Sequence, residues 1–164
     1  MIGAINGMAV GGGFELALAC HLIVATEEAR FWLPETRVGV IADAACLRLP
    51  RRLPHARAME LLLTGRRLDA AEACAWGLVN KVVPRTELMA QARAMASEIV
   101  AGAPLAVASV LEITRQTEVL PLDEAYALLD RGSLPAYRSM LTSEDAKEGP
   151  VAFAEKRSPS WKAR

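Results

Sequence analysis

The sequence predicts an α/β fold over residues 1–103, followed by a helical region over residues 104–164. Two short apolar runs, Leu22–Thr26 and residues 78–83, have the length and the β-branched content of buried strands. Residues 86–101 instead repeat their apolar side chains at helical spacing. After Pro104 every apolar pattern is helical, so the last third is predicted to contain no strand.

The elements before residue 104 follow from short apolar runs and from capping residues. Residues 1–5 are apolar, residues 30–33 are apolar after Arg30, and both segments are predicted to be strands. Helix boundaries are indicated by N-cap, proline and glycine signals. These signals are Asp43 before a helix from residue 44, Pro54 and Gly65 around a helix at 54–63, and Asp69 and Gly77 around one ending at residue 76.

The helical region after residue 104 is divided by prolines and by one capping serine. Pro104 and Pro121 each open a predicted helix, since proline is well tolerated in a first helical turn. Ser143 is the predicted N-cap of the last helix, with Glu144 and Asp145 in its first turn. Helices are therefore predicted at 105–114, 122–129, 133–140 and from residue 144.

Composition and charge disfavour several classes of partner. Nineteen Lys and Arg residues balance nineteen Asp and Glu residues, so no net field attracts nucleic acid or an anionic membrane. Cys20, Cys46 and Cys74 form neither a disulfide framework nor a metal-binding spacing, which indicates a cytoplasmic protein. No uninterrupted apolar stretch is long enough to span a bilayer, and the N-terminus lacks the basic residues of a signal peptide.

The candidate site begins at the run Gly11-Gly12-Gly13-Phe14-Glu15. A glycine run that leads into a helix leaves free N–H groups at the helix start, where negative charge on an oxygen is stabilised. Glu15 lies in the first turn of this helix, which is predicted to be largely buried. The simpler interpretation is a tight turn with a glutamate that only interacts with the helix dipole. A phosphate loop is disfavoured, because the run has no Gly-Lys-Ser/Thr ending and Leu16 replaces a required small residue.

A second glutamate, Glu35, follows Pro34 and the apolar residues 31–33. Apolar surroundings reduce the solvation of a carboxyl group. Two glutamates in one poorly hydrated site can act as a general acid and a general base. Taken by itself, Glu35 fits a solvated turn residue better.

The sequence resembles the enoyl-CoA hydratase (crotonase) family over all 164 residues. The resemblance begins with Asn6-Gly7-x-Ala9-x-Gly11-Gly12-Gly13-x-Glu15-Leu16-Ala17 and Phe31-x-x-Pro34-Glu35. It continues through Thr64-Gly65-Arg66-Arg67, Trp76-Gly77-Leu78-Val79-Asn80 and Ser143-Glu144-Asp145-Ala146-x-Glu148-Gly149-Pro150. Within the family, Leu47-Arg48-Leu49-Pro50 and the C-terminal tail are most similar to members that act on crotonobetainyl-CoA or carnitinyl-CoA.

The resemblance implies a fold, a reaction and an assembly. The fold is the C-terminal portion of a crotonase-like (ClpP/crotonase) spiral, followed by helices of a trimerisation region. The reaction is the hydration or dehydration of an α,β-unsaturated acyl-CoA thioester. No metal or redox cofactor is expected, because coenzyme A is part of the substrate. The expected assembly is a cytoplasmic homo-oligomer, either a trimer or a dimer of trimers.

The resemblance also assigns roles to individual residues. They are the catalytic pair Glu15 and Glu35, the oxyanion-hole N–H of Gly12, Trp32 and Asp43 in the acyl pocket, and Phe153 and Lys156 at coenzyme A. Phe153 fits a core anchor equally well, and Lys156 a surface charge. Trp32 is the nearby aromatic residue able to contact a trimethylammonium group, and it fits a core position equally well.

The sequence departs from the family in two places. Ala44-Ala45-Cys46 stands where relatives usually have a Gly-Gly pair, beside the site for the acyl group and water. The portion that precedes Met1 in relatives, which supplies the second oxyanion N–H and much of the CoA surface, has no counterpart in these residues. Met1 is therefore interpreted as an internal start, the start of a truncated product, or the start of one half of a split protein.

Two other functions therefore stand beside the hydratase. One is a non-catalytic subunit that acts only in assembly. The other is an enoyl-CoA isomerase, a reaction that needs fewer carboxylates. Retention of both Glu15 and Glu35 favours the hydratase.

Overall fold

The structure is a computed structural model that describes all 164 residues. The chain forms two compact units, Met1–Ala96 and Ser97–Arg164. All the strands lie in the first unit, and the second contains only helices. This agrees with the predicted absence of strands from the last third, whereas the predicted domain boundary between residues 103 and 104 stays a prediction.

The first unit alternates short strands with helices. The strands are β1 Ile2–Ile5, β2 Met8–Val10, β3 Leu22–Thr26, β4 Arg30–Trp32, β5 Leu68–Asp69 and β6 Lys81–Val83. The helices are α1 Gly12–Leu18, α2 Asp43–Arg48, α3 His55–Thr64, α4 Ala70–Ala75 and α5 Leu88–Val100, which continues into the second unit. Short 3₁₀ turns occupy Glu35–Val38, Leu49–Arg51 and Arg85–Glu87.

The strands form two small sheets. In the first sheet the order is β1-β3-β6, and both pairs are parallel. In the second the order is β2-β4-β5, with β2 parallel and β5 antiparallel to the central strand. Parallel pairing explains the continuous apolar runs that predict these strands, because such sheets are covered on both faces.

The central strand β3 faces two hydrophobic clusters. Ile23 and Ala25 belong to the main core, which also contains the rings of Phe14 and Phe31, 5.3 Å apart between centroids. Val24 points to the other face and packs with Leu88 of α5. The alternation follows from the two-residue period of a strand, and it fixes α1 and β4 against the sheet that positions the candidate site.

Several predicted elements are confirmed, and three need correction. The strands at 22–26 and 30–33, the helix that Gly65 ends, and the helix that Asp69 caps are all present. The strand predicted at 78–83 begins only at Lys81, because the N–H groups of Leu78 and Val79 donate to Ala73 O at the end of α4.

The other two corrections concern helix surfaces and caps. The helix predicted to be largely buried, α1, has one exposed face, and Leu16 is 73% exposed. Asp43 is the first residue of α2 and not its N-cap, a position held by Ala42 without a side-chain bond. The Oδ1 atom of Asp43 accepts the neighbouring N–H of Ala44 at 3.0 Å, a bond too local to satisfy the second or third helical N–H.

The second unit contains the helices that follow Pro104. They are α6 Pro104–Thr117, α7 Leu122–Asp130, α8 Pro135–Thr142 and α9 Glu144–Ala154. The Ser143 hydroxyl accepts the N–H of Ala146 at 3.0 Å, as the predicted cap requires. No single helix is both long and apolar enough to cross a bilayer; the segments 85–100 and 104–117 reach that length only as a bent pair.

A C-terminal strap, residues 158–164, runs back along α9. The buried carboxylate of Asp145 accepts the N–H groups of Lys162 and Ala163 at 2.7 and 3.0 Å. The indole N–H of Trp161 donates to Ala101 O at 2.9 Å. These bonds tie the strap to the start of α9 and to the end of α5 within the second unit.

Candidate active site

Gly11 joins the second sheet to the start of α1. Its N–H donates to Trp32 O of β4 at 3.0 Å, and its carbonyl accepts the N–H groups of Phe14 and Glu15 at 2.8 and 3.0 Å. Gly11 has a φ of 52°, a conformation that side-chain-bearing residues rarely adopt. The chain therefore turns at this residue from strand into helix.

Gly12, the predicted oxyanion donor, is the first residue of α1 and is exposed. The N–H of a first helical residue has no acceptor within its own helix. The helix dipole adds partial positive charge at the same end. This placement allows the Gly12 N–H to donate to an oxygen outside the protein, which is the geometry that the proposed role needs.

Glu15 is half-buried in the first turn of α1. Its Oε1 atom accepts the N–H of Ala45, from the first turn of α2, at 2.9 Å. Ala45 is fully buried. Because the donor is a main-chain group, alanine supplies it as well as glycine does, and the altered Ala44-Ala45-Cys46 segment keeps this contact.

Glu35 opens the 3₁₀ turn after Pro34 and is also half-buried. Its Oε1 atom lies 2.5 Å from the position that a Cβ on Gly11 would occupy. Its Oε2 atom is buried and has no hydrogen-bond partner in the protein. The structure thus brings Glu35 against Gly11, the residue whose carbonyl starts the helix that carries Glu15.

The two predicted acyl-pocket residues have different surroundings. Trp32 is half-buried, and the guanidinium of Arg67 lies 4.7 Å from its ring centroid. Asp43 is exposed at the start of α2. Trp32 therefore already contacts one cation of the protein, and both assignments to an acyl pocket stay predictions.

Phe153 and Lys156, the predicted coenzyme A contacts, belong to the second unit. Phe153 is 87% exposed, which excludes the alternative of a core anchor within this chain. Lys156 is exposed just after α9 and has a positive φ of 55°. Their predicted contact with coenzyme A stays a prediction.

Two residues beside the glutamates have no signal in the sequence that identifies their contacts. Ala45 acts through its N–H group, which every residue except proline carries, so no side-chain pattern identifies it. Arg37, two residues after Glu35 in the same 3₁₀ turn, donates from Nε and Nη2 to Thr64 O at 3.0 and 2.7 Å. An arginine next to a glutamate was the available signal, but its acceptor is a carbonyl far away in sequence.

The fold and the paired glutamates define a member of one enzyme family. The chain belongs to the enoyl-CoA hydratase/isomerase family, whose family model matches residues 1–164. Among curated proteins, it is similar to carnitinyl-CoA dehydratase of Proteus mirabilis, with 54% identity over 165 residues. The same protein of Salmonella typhi is 52% identical. Each match covers 100% of this chain and 63% of the relative's length.

Solved structures agree with this assignment. An enoyl-CoA hydratase from Mycobacterium marinum superposes with a TM-score of 0.92 at 43% identity, covering 99% of this chain and 66% of that one. An enoyl-CoA hydratase from Bacillus anthracis also gives 0.92, at 39% identity, covering 99% and 62%. The predicted family and the predicted α/β crotonase-like fold are thereby confirmed.

Proposed function

We propose that this chain carries the acid–base pair of an enoyl-CoA hydratase, which adds water to an α,β-unsaturated acyl-CoA thioester or removes it. The observation that carries the proposal is the placement of Glu35 against Gly11, at the start of the helix that holds Glu15. Family membership supplies the substrate class. The chain spans 63% of the length of the curated relatives it matches.

In the proposed hydration, Glu15 takes a proton from water while the water oxygen bonds to Cβ of the acyl group. Electron density moves through Cα to the thioester oxygen, forming an enolate, to which the Gly12 N–H donates. Glu35 then gives a proton to Cα, and the carbonyl re-forms. Ala45 holds one oxygen of Glu15 at 2.9 Å, which orients the carboxylate towards the water. No metal or redox cofactor is needed, because the thioester already acidifies Cα.

We propose crotonobetainyl-CoA and carnitinyl-CoA as the substrate pair. The proposal is supported by 54% identity to carnitinyl-CoA dehydratase of Proteus mirabilis. Trp32 is the proposed contact of the trimethylammonium group, since an aromatic face attracts such cations. Arg67 lies over that ring, so substrate binding at Trp32 requires the free face of the indole or displacement of the guanidinium.

The experiment follows the enoyl-thioester absorbance after mixing the protein with crotonyl-CoA or crotonobetainyl-CoA. Turnover is expected with both, and the preferred thioester identifies the acyl group. Glu15→Gln and Glu35→Gln are each expected to lower kcat about 10²–10⁴-fold, since each removes one proton-transfer group. Glu27→Gln, at an exposed turn glutamate, is the matched control and is expected to leave kcat unchanged.

Three results would contradict this mechanism. A folded protein that turns over neither thioester would favour the assembly-only subunit. Loss of double-bond conjugation without water addition would favour the isomerase. Full activity in Glu35→Gln would show that the Glu35 carboxyl group takes no part in the reaction.

We also propose that the protein works as a cytoplasmic homo-oligomer, a trimer or a dimer of trimers. Support comes from exposed apolar side chains on the second unit, including Leu122 and Tyr126 at 73% and 61% exposure. Phe153 and Lys156 are the proposed coenzyme A contacts. Sedimentation velocity is expected to show a species about three or six times the monomer mass, and a monomer at working concentration would contradict the proposal.

A further inference from the structure

Arg37 lies two residues after Glu35, in the same 3₁₀ turn. Its guanidinium leaves that turn and donates two hydrogen bonds to Thr64 O, from Nε at 3.0 Å and from Nη2 at 2.7 Å. Thr64 is the last residue of α3, where carbonyl groups lack helical partners and carry the negative end of the dipole. Arg37 thus fastens the turn that carries Glu35 to the end of a packed helix.

Gly65 completes this attachment from the other side. A Cβ on Gly65 would lie 3.0 Å from Leu33 O and 3.2 Å from Arg37 Nε. Gly65 therefore lies beside the chain both before and after Glu35, with no room for a side chain between them. Its positive φ of 57° places it in the left-handed conformation that ends α3. The backbone of Glu35 is held between two contacts to the same helix end.

The side chain of Glu35 has no comparable support at its far end. Its Oε2 atom is buried without a hydrogen-bond partner, and its Oε1 atom lies against Gly11. Glu15, in contrast, is held by the N–H of Ala45. The position of the Glu35 carboxyl group must therefore be set by its own backbone and by packing.

We infer that Arg37 is a positioning residue for Glu35, acting through its two hydrogen bonds to Thr64 O. The inference rests on the proposed function, because it assigns Arg37 to the reaction through Glu35. A carboxyl group displaced by about 1 Å from the reacting carbon can lower the rate about 100-fold. Binding of the thioester involves other groups, so the loss is expected in kcat and not in KM.

The test compares Arg37→Gln with a matched arginine. Arg30 also donates two hydrogen bonds to main-chain carbonyls, of Glu27 at 3.1 Å and Ala29 at 2.8 Å, but in the turn before β4. Arg37→Gln is expected to lower kcat about 10–100-fold with KM changed less than about 2-fold. Arg30→Gln is expected to leave kcat unchanged. Arg37→Lys, which keeps one donor for Thr64 O, is expected to give an intermediate kcat.

A second measurement does not depend on turnover. Side-chain ¹³C labelling of glutamate gives a carboxyl resonance for Glu35, assigned by its loss in Glu35→Gln. Arg37→Gln is expected to move this resonance, and Arg30→Gln is not. If kcat and the Glu35 resonance are the same in both arginine variants, Arg37 is only structural and the inference is wrong.

The two measurements separate this inference from the proposed function. An inactive wild-type protein in which Arg37→Gln still moves the Glu35 resonance would contradict the hydratase and keep the positioning contact. An active wild-type protein whose kcat and Glu35 resonance do not change in Arg37→Gln would support the hydratase and contradict the positioning role of Arg37. If Arg37→Gln does not fold, the same two measurements, kcat and the Glu35 resonance, are made on Arg37→Lys and test the inference there.

Discussion

Two constraints at Gly11 disfavour other residue types at this position. Its φ of 52° and ψ of −123° form a conformation open to glycine. A Cβ would also meet Glu35 Oε1 at 2.5 Å. The first constraint concerns the backbone, and the second concerns the position of the Glu35 carboxyl group.

Gly39 allows the two constraints to be separated. It has a positive φ of 82°, but nothing lies within 4 Å of an added Cβ. Gly39→Ala is expected to cost about 1–2 kcal/mol of unfolding free energy, from the backbone alone. Gly11→Ala is expected to cost on the order of 1–3 kcal/mol and also to displace Glu35, lowering kcat at least about 10-fold. Urea unfolding and thioester kinetics measure both effects, and equal kcat values in the two variants would contradict the predicted displacement.

Within single helices, two aspartates at helix starts make different hydrogen bonds. Asp69 is the N-cap of α4, and its Oδ1 atom accepts the N–H of Glu72 at 2.7 Å. Asp43 lies inside the first turn of α2 and accepts only the N–H next to it. An N-cap satisfies a helical N–H that otherwise has no partner, whereas a residue one position later mainly interacts with the dipole.

The difference predicts unequal losses of stability. Asp69→Ala is expected to lower the unfolding free energy by about 0.5–2 kcal/mol. Asp43→Ala is expected to lower it by about 0.3–1 kcal/mol, and less than Asp69→Ala. Thermal and urea unfolding of the two variants give the comparison. A larger loss for Asp43→Ala would show that it caps α2 in solution.

The sequence predicts elements well where side chains alone decide them. The capping of α4 and α9 and the strand β3 follow from local residue types. The start of β6 could not be predicted, because Asn80 bonds to the main chain of Ile23 through both its side chain and its N–H, where a regular strand pair would otherwise continue. Its side chain accepts the N–H of Ile23 at 2.8 Å, and its N–H donates to Ile23 O at 2.8 Å.

In the candidate site, too, the sequence predicts the features that depend on side chains and misses those that depend on main-chain groups. Glu15, Glu35 and the glycine run are visible in the sequence because their side chains, or the lack of them, are what the chemistry needs. The contacts of Ala45 and Arg37 could not be predicted, since the important partner in each is a main-chain group. Main-chain donors and acceptors are present at nearly every position, so only the fold shows which are used.

Across the whole molecule, ion pairs form two groups, one around Arg66 in the first unit and one around Arg157 and the C-terminal strap in the second. Glu148 accepts two hydrogen bonds from Arg157, at 2.6 and 3.0 Å, and the N–H of Ser160 at 2.8 Å. Chiefly because of Arg157, the pKa of Glu148 is lowered from 4.5 to about 2. A carboxyl group with a lowered pKa in the folded state stabilises that state above its unfolded pKa, and this contribution is lost as the pH falls.

The strap is therefore expected to loosen between pH 4.5 and about pH 2. The indole N–H of Trp161, which donates to Ala101 O, reports this in ¹H–¹⁵N spectra. Its resonance is expected to shift towards that of free indole across this range. In Glu148→Gln the pH dependence is expected to weaken. A wild-type resonance that does not change down to pH 2 would contradict the prediction.

The pairing of β3 with β6 also sets an order of events during synthesis. Ile23 and Asn80, which bond at the edge of that pair, are 57 residues apart in the chain. At roughly 5–20 residues per second, the β3 edge that pairs with β6 stays open for roughly 3–11 s, while its other edge can already pair with β1. Each helix of the second unit is made after β6, and because it needs mainly neighbouring residues it can form as soon as it is synthesised. We expect nascent β3, an apolar strand, to need a chaperone during that interval.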